Sequence, residues 1–78
     1  MAIVNFYAAA KAAAGTSTLK VPAGTMGALI EDLAGRTPEL AKLLPTCSYL
    51  LNGVACEDKE QILIEGDAID VLPQFAGG

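Results

Sequence analysis

The sequence predicts an α+β fold in which one long amphipathic helix packs across one face of a small mixed β-sheet. Strand-like segments come in pairs before and after a single segment that has the apolar spacing of a helix. The second pair contains Asn52-Gly53, the strongest short signal for a β-hairpin. Two hairpins around one helix predict a two-layer α+β roll. We expect the first and last strands to lie side by side and parallel in its centre.

The first strand is predicted over residues 2–7, where β-forming side chains partly alternate and Val4 and Phe6 face the core. Residues 8–14 are alanine-rich and are predicted to form a short helical turn or loop. A second strand is predicted over residues 16–22. Because the connection between the two strands is short, we expect them to pair as an antiparallel hairpin.

The main helix is predicted over residues 25–35, with Thr25 as its N-cap and Gly35 as its C-terminal stop. Its apolar residues form a single helical stripe: Met26, Leu29, Ile30, Leu33 and Ala34. Such a stripe is far more often core than a binding surface, so we assign it to the core. A short second helix follows, with Thr37 as its cap and Pro38 at its first position.

The C-terminal half supplies the remaining strands. Residues 47–52 are predicted to form the third strand, and the Asn52-Gly53 turn leads to a short return strand at residues 54–55. Residues 62–64 are apolar and are expected to return to the core. Residues 68–72 form the predicted last strand.

The composition limits both the size of the fold and its partners. With 78 residues the chain is predicted to be one domain, with a body at residues 1–73 and a tail at residues 74–78. A net charge of −4 argues against nucleic acid or an anionic membrane as the main partner. No apolar run approaches the roughly 20 residues of a membrane span, and no signal peptide is evident. We therefore expect a cytoplasmic protein.

The chain has no histidine and only two cysteines, Cys47 and Cys56. Two cysteines cannot supply the four ligands of a structural zinc site or an iron–sulfur cluster, so no metal site is predicted. A serine or cysteine nucleophile paired with histidine is excluded as well. The spacing between Cys47 and Cys56 is not that of a redox CxxC motif. We interpret both as reduced apolar fillers, with a disulfide or a surface thiol as the alternatives.

Residues 72–78 are the part of the chain that most specifically indicates a chemical function. Gly77 and Gly78 lack side chains, so a terminal carboxylate is the reactive group on offer, on a flexible segment thin enough for a narrow channel. A free carboxylate is a poor electrophile at neutral pH and must be activated, for example by ATP as an acyl-adenylate. A sulfur nucleophile can then take the acyl group. The alternative is that the two glycines are only a frayed end.

The element order and small size resemble the ubiquitin-like β-grasp fold, and the motifs resemble the MoaD/ThiS sulfur-carrier family. The resemblance spans essentially the whole chain. It rests on Leu51-Asn52-Gly53, on the Glu65-Gly66-Asp67 turn, and on the terminal Gly77-Gly78 at the right distance from that turn. A proline at position 73, before the tail, resembles the molybdopterin synthase small subunit more than the thiazole-forming carrier. Gln74 stands where that subfamily commonly has a second proline.

The resemblance implies that Gly78 is the site of the chemistry. Its carboxylate would be adenylated by an E1-like activating enzyme of the MoeB/ThiF type, which uses ATP, and converted to a thiocarboxylate by a sulfur donor. The tail would then enter a MoaE-type large subunit of molybdopterin synthase and deliver sulfur to a pterin precursor. Gly77 would let the tail thread, while Phe75 and Ala76 would be docking contacts at the channel mouth. The chain itself is expected to hold no cofactor stably and to supply no catalytic side chain.

Three alternatives remain open at this stage. The first is a ThiS-type carrier that supplies sulfur for the thiazole of thiamine, which the chain resembles less than it resembles the molybdopterin synthase small subunit. A ubiquitin-like modifier would instead join Gly78 to a lysine of a target protein. In a plain binding module the tail would be inert. Phe75 also has an alternative role, since an apolar residue near a terminus can fold back onto the body.

Overall fold

The computed structural model describes residues 1–74, and residues 75–78 lie outside the described part of the chain. Its helices and strands follow the predicted order. The strands are β1 Ala2–Phe6, β2 Thr18–Val21, β3 Cys47–Leu51, β4 Val54–Ala55 and β5 Ala68–Pro73. The helices are α1 Ala9–Ala14, α2 Met26–Ala34 and α3 Pro38–Leu43, and a 3₁₀ turn, Leu44–Thr46, connects α3 to β3.

The five strands form one mixed sheet in the order β2-β1-β5-β3-β4. β1 and β5 are parallel neighbours at its centre, where Val4 lies opposite Ile69. The β1–β2, β3–β4 and β3–β5 pairs are antiparallel. The predicted central, parallel pairing of the first and last strands is therefore confirmed, and so are the two hairpins.

The helices cover one face of the sheet, and the core lies between these two layers. Val4 and Phe6 from β1, with Ile69 and Val71 from β5, are at most 2% exposed. The buried residues of the predicted stripe on α2 are Met26, Leu29 and Leu33. The inward residues of the strands recur every two residues and those of α2 recur every 3.6 residues. The two sets pack against each other at a single apolar interface, as the sequence pattern predicts.

Threonine caps begin α2 and α3 at the predicted positions. The Thr25 hydroxyl accepts a hydrogen bond from the amide of Ala28 at 3.1 Å, and the Thr37 hydroxyl accepts one from the amide of Leu40 at 3.0 Å. Each bond satisfies an amide that has no partner within its helix. The Thr37 hydroxyl also donates to the carbonyl oxygen of Ala13 at 3.1 Å, which ties α3 to the end of α1.

The expectation that residues 62–64 return to the core is wrong for two of the three residues. Leu63 is 2% exposed, but Ile62 and Ile64 are 60% and 64% exposed. The amide of Leu63 donates to the carbonyl oxygen of Gly24 at 2.7 Å, which holds this segment beside the start of α2. Because successive side chains of an extended segment point to opposite sides, placing Leu63 in the core leaves its two neighbours outside.

The turn before β5 contains Gly66 in the left-handed region, with φ +87°. We expect Gly66→Ala to lower the free energy of unfolding by about 1 kcal/mol, because an L residue pays a steric cost at that φ. The space itself is open, since a Cβ there would meet no atom within 4 Å. Gly24→Ala is the control, because Gly24 has equally open surroundings and no positive φ. Urea unfolding measures both variants, and equal effects would contradict the backbone explanation.

Candidate site at the carboxyl end of β5

β5 connects the core to the residues on which the predicted chemistry depends. It lies between β1 and β3, and its inward residues Ile69 and Val71 are 0% exposed. The strand ends at Pro73, which lies opposite Cys47 of β3. Gln74 follows as an exposed bend. Because neighbouring strands hold β5 on both sides, the position of its carboxyl end is well defined, at one end of the central strands.

The side chains of Asn52 and Asp67 hold the beginning of β5. The Asn52 amide oxygen accepts a hydrogen bond from the backbone amide of Ala68 at 2.9 Å, and its Nδ2 donates to Asp67 Oδ1 at 3.0 Å. Asp67 Oδ2 accepts from the backbone amide of Ile64 at 2.8 Å. Two motifs of the family resemblance, the Asn-Gly hairpin and the Gly-Asp turn, are thus joined directly to each other. Together they anchor the strand that leads to the tail.

These hydrogen bonds lower the pKa of Asp67 below its ordinary value. The backbone amide of Ile64 is the larger cause, and the side-chain amide of Asn52 adds to it. Both donors favour the ionised carboxylate. A lowered pKa in the folded state contributes stability that is present above the ordinary pKa of 3.8 and is lost as the pH falls through the lowered one.

We expect Asp67→Asn to make the unfolding free energy less sensitive to acid. In the wild type, part of the loss between neutral pH and about pH 3 comes from protonating this carboxylate. The variant lacks that contribution, so the difference between the two pH values should shrink. Urea unfolding at both pH values tests this. Glu31→Gln is the control, since it removes a charge from an exposed α2 residue with no side-chain hydrogen bond in residues 1–74; an equal reduction there would refute the role of Asp67.

The carboxyl end of β5 lies beside two protonated side chains of β3. The Tyr49 hydroxyl donates to the carbonyl oxygen of Leu44 at 2.9 Å, and the Cys47 thiol donates to that of Leu43 at 3.4 Å. Burial raises the pKa of the Cys47 thiol. Burial, with a smaller effect of Cys47, raises the pKa of Tyr49 to about 12. The environment of Cys47 therefore favours the thiol over the nucleophilic thiolate, which agrees with its interpretation as a filler.

The predicted site residues themselves, Phe75, Ala76, Gly77 and Gly78, lie outside the described residues. What the structure places is the strand that leads to them, up to Pro73 and the exposed Gln74. The roles of these four residues therefore remain predictions.

Three further features bear on the expectations from composition. Cys47 and Cys56 are free thiols. Residues 1–74 contain no group of three or more histidine, cysteine, aspartate or glutamate side chains arranged to hold a metal ion. No helix in this described part is long and apolar enough to cross a membrane.

The sequence alone does not reveal a polar pair on the open face of the sheet. Asn5 and Asp70 lie directly opposite each other on the central strands, and Asn5 Nδ2 donates to Asp70 Oδ1 at 3.0 Å. The available signal was a polar residue between two apolar ones in each strand. That alternation predicts an outward side chain, but it does not show that these two strands are neighbours in this register.

The sheet order, with one main helix across it and a central last strand, defines a ubiquitin-like β-grasp domain. The small archaeal modifier protein 1 of Methanosarcina acetivorans has this fold, with a TM-score of 0.86, 23% identity, and coverage of 99% of this chain and 95% of that one. A chain in the complex of subunits 1 and 2 of the Helicobacter pylori molybdopterin-converting factor has a TM-score of 0.76 and 23% identity, with coverage of 99% of this chain and 97% of that one. A chain in the Amycolatopsis orientalis BexX/CysO complex has a TM-score of 0.79 and 19% identity, with coverage of 100% of both chains.

At these identities the structural similarities show the fold alone, and the family follows from the sequence. The ThiS family model matches residues 4–78, so the chain belongs to the ThiS family. The expected fold and the resemblance to the MoaD/ThiS sulfur carriers are both confirmed. A search of curated proteins finds no significant match.

Proposed function

We propose that the chain is a sulfur carrier whose Gly78 carboxylate is converted to a thiocarboxylate and supplies sulfur for molybdopterin. The family match carries this proposal, because it extends through Gly78 and so includes the reactive terminus. The placement of β5 supports it, since a strand held on both sides leads directly to the tail. The whole chain has no histidine to activate a nucleophile. The reactive groups on this reading are the terminal carboxylate and those of the partner proteins.

The proposed chemistry has three steps. The Gly78 carboxylate attacks the α-phosphorus of ATP on an E1-like enzyme, which forms the acyl-adenylate and releases pyrophosphate. Hydrosulfide from the sulfur donor then attacks the activated carbonyl carbon, the bond between that carbon and the AMP oxygen breaks, and the thiocarboxylate forms with loss of one proton. In the last step the thiocarboxylate sulfur attacks a carbon of the pterin precursor and displaces an oxygen substituent there. Water then attacks the acyl carbon and its bond to sulfur breaks, which restores the carboxylate and leaves the sulfur on the pterin. Gly77 and Gly78 suit this cycle because they present no side chain to the walls of a narrow channel.

The assignment to molybdopterin rests on two observations. Pro73 before the tail is the feature that favours the molybdopterin synthase small subunit over the thiazole carrier. The same β-grasp fold occurs in a complex of the two subunits of a molybdopterin-converting factor. In this proposal a MoaE-type large subunit accordingly receives the tail and binds the pterin precursor that takes the sulfur. Phe75 and Ala76 are the proposed docking contacts at its channel mouth.

The experiment is an intact mass spectrum of the protein after incubation with ATP, an E1-like activating enzyme and a sulfur source. We expect a mass gain equal to the replacement of one oxygen by sulfur. Adding a MoaE-type subunit and the pterin precursor should then return the mass to its starting value. If the mass gain appears but only a thiazole synthase discharges it, the carrier proposal stands and the pathway is that of thiamine. No gain with an activating enzyme that modifies its own carrier would overturn the proposal.

A second candidate is a ubiquitin-like protein modifier. It is favoured by the similarity of the fold to a protein named a small archaeal modifier protein. The same acyl-adenylate would then react with a lysine amine of a target, and an amide bond would form as AMP leaves. Covalent adducts of the chain in cell extract, absent when Gly78 is removed, would establish this function.

A further inference from the structure

We propose that in the free protein Phe75 docks into a groove between α1 and α3, so that the tail is held on the body until a partner displaces it. The groove is formed by described residues, and its occupant is the segment 75–78 that follows them. The docking itself does not depend on the proposed function. Only its consequence, a slower activation of Gly78, rests on that function.

The groove is a shallow depression of about 480 Å³ on the helix side of the domain. The two helices pack against each other, and the Thr37 hydroxyl just before α3 donates to the carbonyl oxygen of Ala13 near the end of α1. They therefore run antiparallel along the groove. Each helix contributes one face with the spacing i, i+3 and i+4. The lining residues are Ala9, Ala12 and Ala13 of α1 and Glu39, Lys42 and Leu43 of α3.

The floor of the groove is apolar and open to solvent in residues 1–74. Ala9 and Ala12 are exposed, and Ala13 and Leu43 are partly buried. A longer side chain at either exposed alanine would fill the space beside Leu43, whereas a methyl group leaves it empty. The alanine-rich segment thus shapes a recess in addition to favouring a helix. Covering this recess with an apolar side chain removes apolar surface from water, which is favourable.

The groove begins where the tail leaves the sheet. Pro73 lies opposite Cys47, whose thiol donates to the carbonyl oxygen of Leu43 at 3.4 Å. The end of α3 is therefore beside the end of β5. On the other side of β5, the chain turns from β1 into α1 at Ala8, which has φ 51°, and α1 contacts β5. Both helices thus present one end of the groove at the carboxyl end of β5.

The tail is long enough to enter the groove. Phe75 is two residues beyond Pro73, and two residues of extended chain span about 7 Å. The whole segment from Pro73 to Gly78 spans about 17 Å by the same measure. The groove is about 9 Å long, which is the rise of the six-residue helices on either side of it. The ring of Phe75 can therefore reach the near end of the groove without displacing β5.

The size of the groove favours the tail over a separate protein as its occupant. Each side of a stable protein interface provides roughly 20–30 residues, whereas six residues line this groove. It therefore suits a single large side chain, and Phe75 is the one large apolar side chain in residues 74–78. The tail is also tethered beside the groove, which gives it an effective concentration of about the millimolar range. A weak contact is enough to hold a segment so placed.

The charges at the rim orient the docked tail. Lys42 is in the last turn of α3, near the tail exit, and Glu39 is in the first turn. Neither forms an ion pair within residues 1–74. The Gly78 carboxylate is attracted by the Lys42 ammonium and repelled by Glu39, so it stays at the mouth of the groove while Phe75 enters. A partner must displace this arrangement, which weakens its apparent binding in proportion to the docked fraction.

The docking is tested by nuclear Overhauser measurements on the free, full chain with isotope-labelled alanine methyl groups. We expect cross-peaks between the Phe75 ring and the Ala12 methyl group, and an upfield position of that methyl signal caused by the ring. Phe75→Ala should abolish both. The Ala55 methyl group on β4, at the far edge of the sheet, is the control and should not shift. Absence of the cross-peaks, or an Ala12 signal that stays in place in Phe75→Ala, would overturn the proposal.

The consequence for activation is tested with Ala12→Glu, which fills the groove and adds a negative charge that repels the tail. With ATP, an E1-like enzyme and a sulfur source, we expect the initial rate of the mass gain to rise at least twofold at carrier concentrations below KM. Ala41→Glu is the matched control, because it makes the same change at an exposed residue of α3 outside the groove. Its rate should equal that of the wild type.

An unchanged rate in Ala12→Glu, or the same acceleration in Ala41→Glu, would refute the effect of docking on activation. The proposed function is decided separately, by the mass gain of the wild-type protein. A wild type that shows no mass gain refutes the carrier function, while the cross-peaks between Phe75 and Ala12 still decide the docking. A wild type that is activated but lacks those cross-peaks leaves the carrier function intact and refutes the docking alone.

Discussion

Deletion of Gly78 is expected to abolish the mass gain of one oxygen-to-sulfur exchange completely, while the body unfolds at the same urea concentration as the full chain. The reason is that the proposed reactive group is the carboxylate of this one residue. After the deletion the carboxylate sits on Gly77, one residue nearer to the sheet. One residue of extended chain spans about 3.3–3.6 Å, which is a large displacement for a group that must meet a fixed catalytic centre. Intact mass spectrometry after incubation with ATP, activating enzyme and sulfur source measures the effect.

The matched variant retains Gly78 and adds one alanine after it. This variant also has a free carboxylate, but on a side chain-bearing residue and one position too far from the sheet. It should be inactive for the same positional reason. A persistent gain of one oxygen-to-sulfur exchange in either variant would show that the activating enzyme accepts a carboxylate displaced by one residue, which contradicts the positional argument. A persulfide on Cys56 would be distinguished by its larger mass gain, because it adds a sulfur atom without loss of an oxygen. Unfolding of the truncated body would show that Gly78 contributes to the fold, contrary to its proposed role.

Ile69→Ala is expected to lower the free energy of unfolding by about 3–4 kcal/mol, the largest effect on stability that we predict. Ile69 is 0% exposed and lies between Val4 of β1 and Leu51 of β3 in the centre of the sheet. Removing its outer carbons loses apolar burial and leaves a cavity, because the neighbours on both sides are held by their own strands. Against a typical domain stability of about 5–15 kcal/mol, this leaves a marginal protein. Urea unfolding at neutral pH measures it.

Ile64→Ala is the matched control because it makes the same chemical change at a residue that is 64% exposed. It should change the unfolding free energy by less than about 0.5 kcal/mol. A comparable loss in both variants would show that Ile64 is covered in solution. A small loss in Ile69→Ala would mean that the centre of the sheet relaxes around the cavity, and that β5 is held less firmly than its burial indicates.

The fold was largely predictable because local signals along the chain agree with one another. The apolar stripe of α2, its cap at Thr25 and the Asn52-Gly53 hairpin each arise from residues close in sequence. Such signals are read directly from spacing and residue type. Residues 62–64 show where this approach fails. An apolar run is compatible with three buried residues, but an extended segment that lies against one side of the body buries only the middle one.

The candidate site divides in the same way. Gly77 and Gly78 could be proposed from the sequence, because their chemistry depends on residue type and on position at the end of the chain. The pairing of Asn5 with Asp70 could not, since 65 residues separate them and their contact depends on the parallel register of β1 and β5. The joining of Asn52 to Asp67 across 15 residues depends equally on where the chain returns to the sheet.

The sequence by itself therefore determined the elements and their order and led to the proposal of Gly78 as the reactive residue, because each of these depends on residue type and short-range spacing. Only the tertiary structure decided which outward side chains become neighbours, and so where Asp70 finds its amide partner. The physical reason is that long-range register comes from packing the whole apolar set of Val4, Ile69 and the α2 stripe at once. A shift of one residue would turn that set toward solvent, so the core selects the register and the register creates the surface.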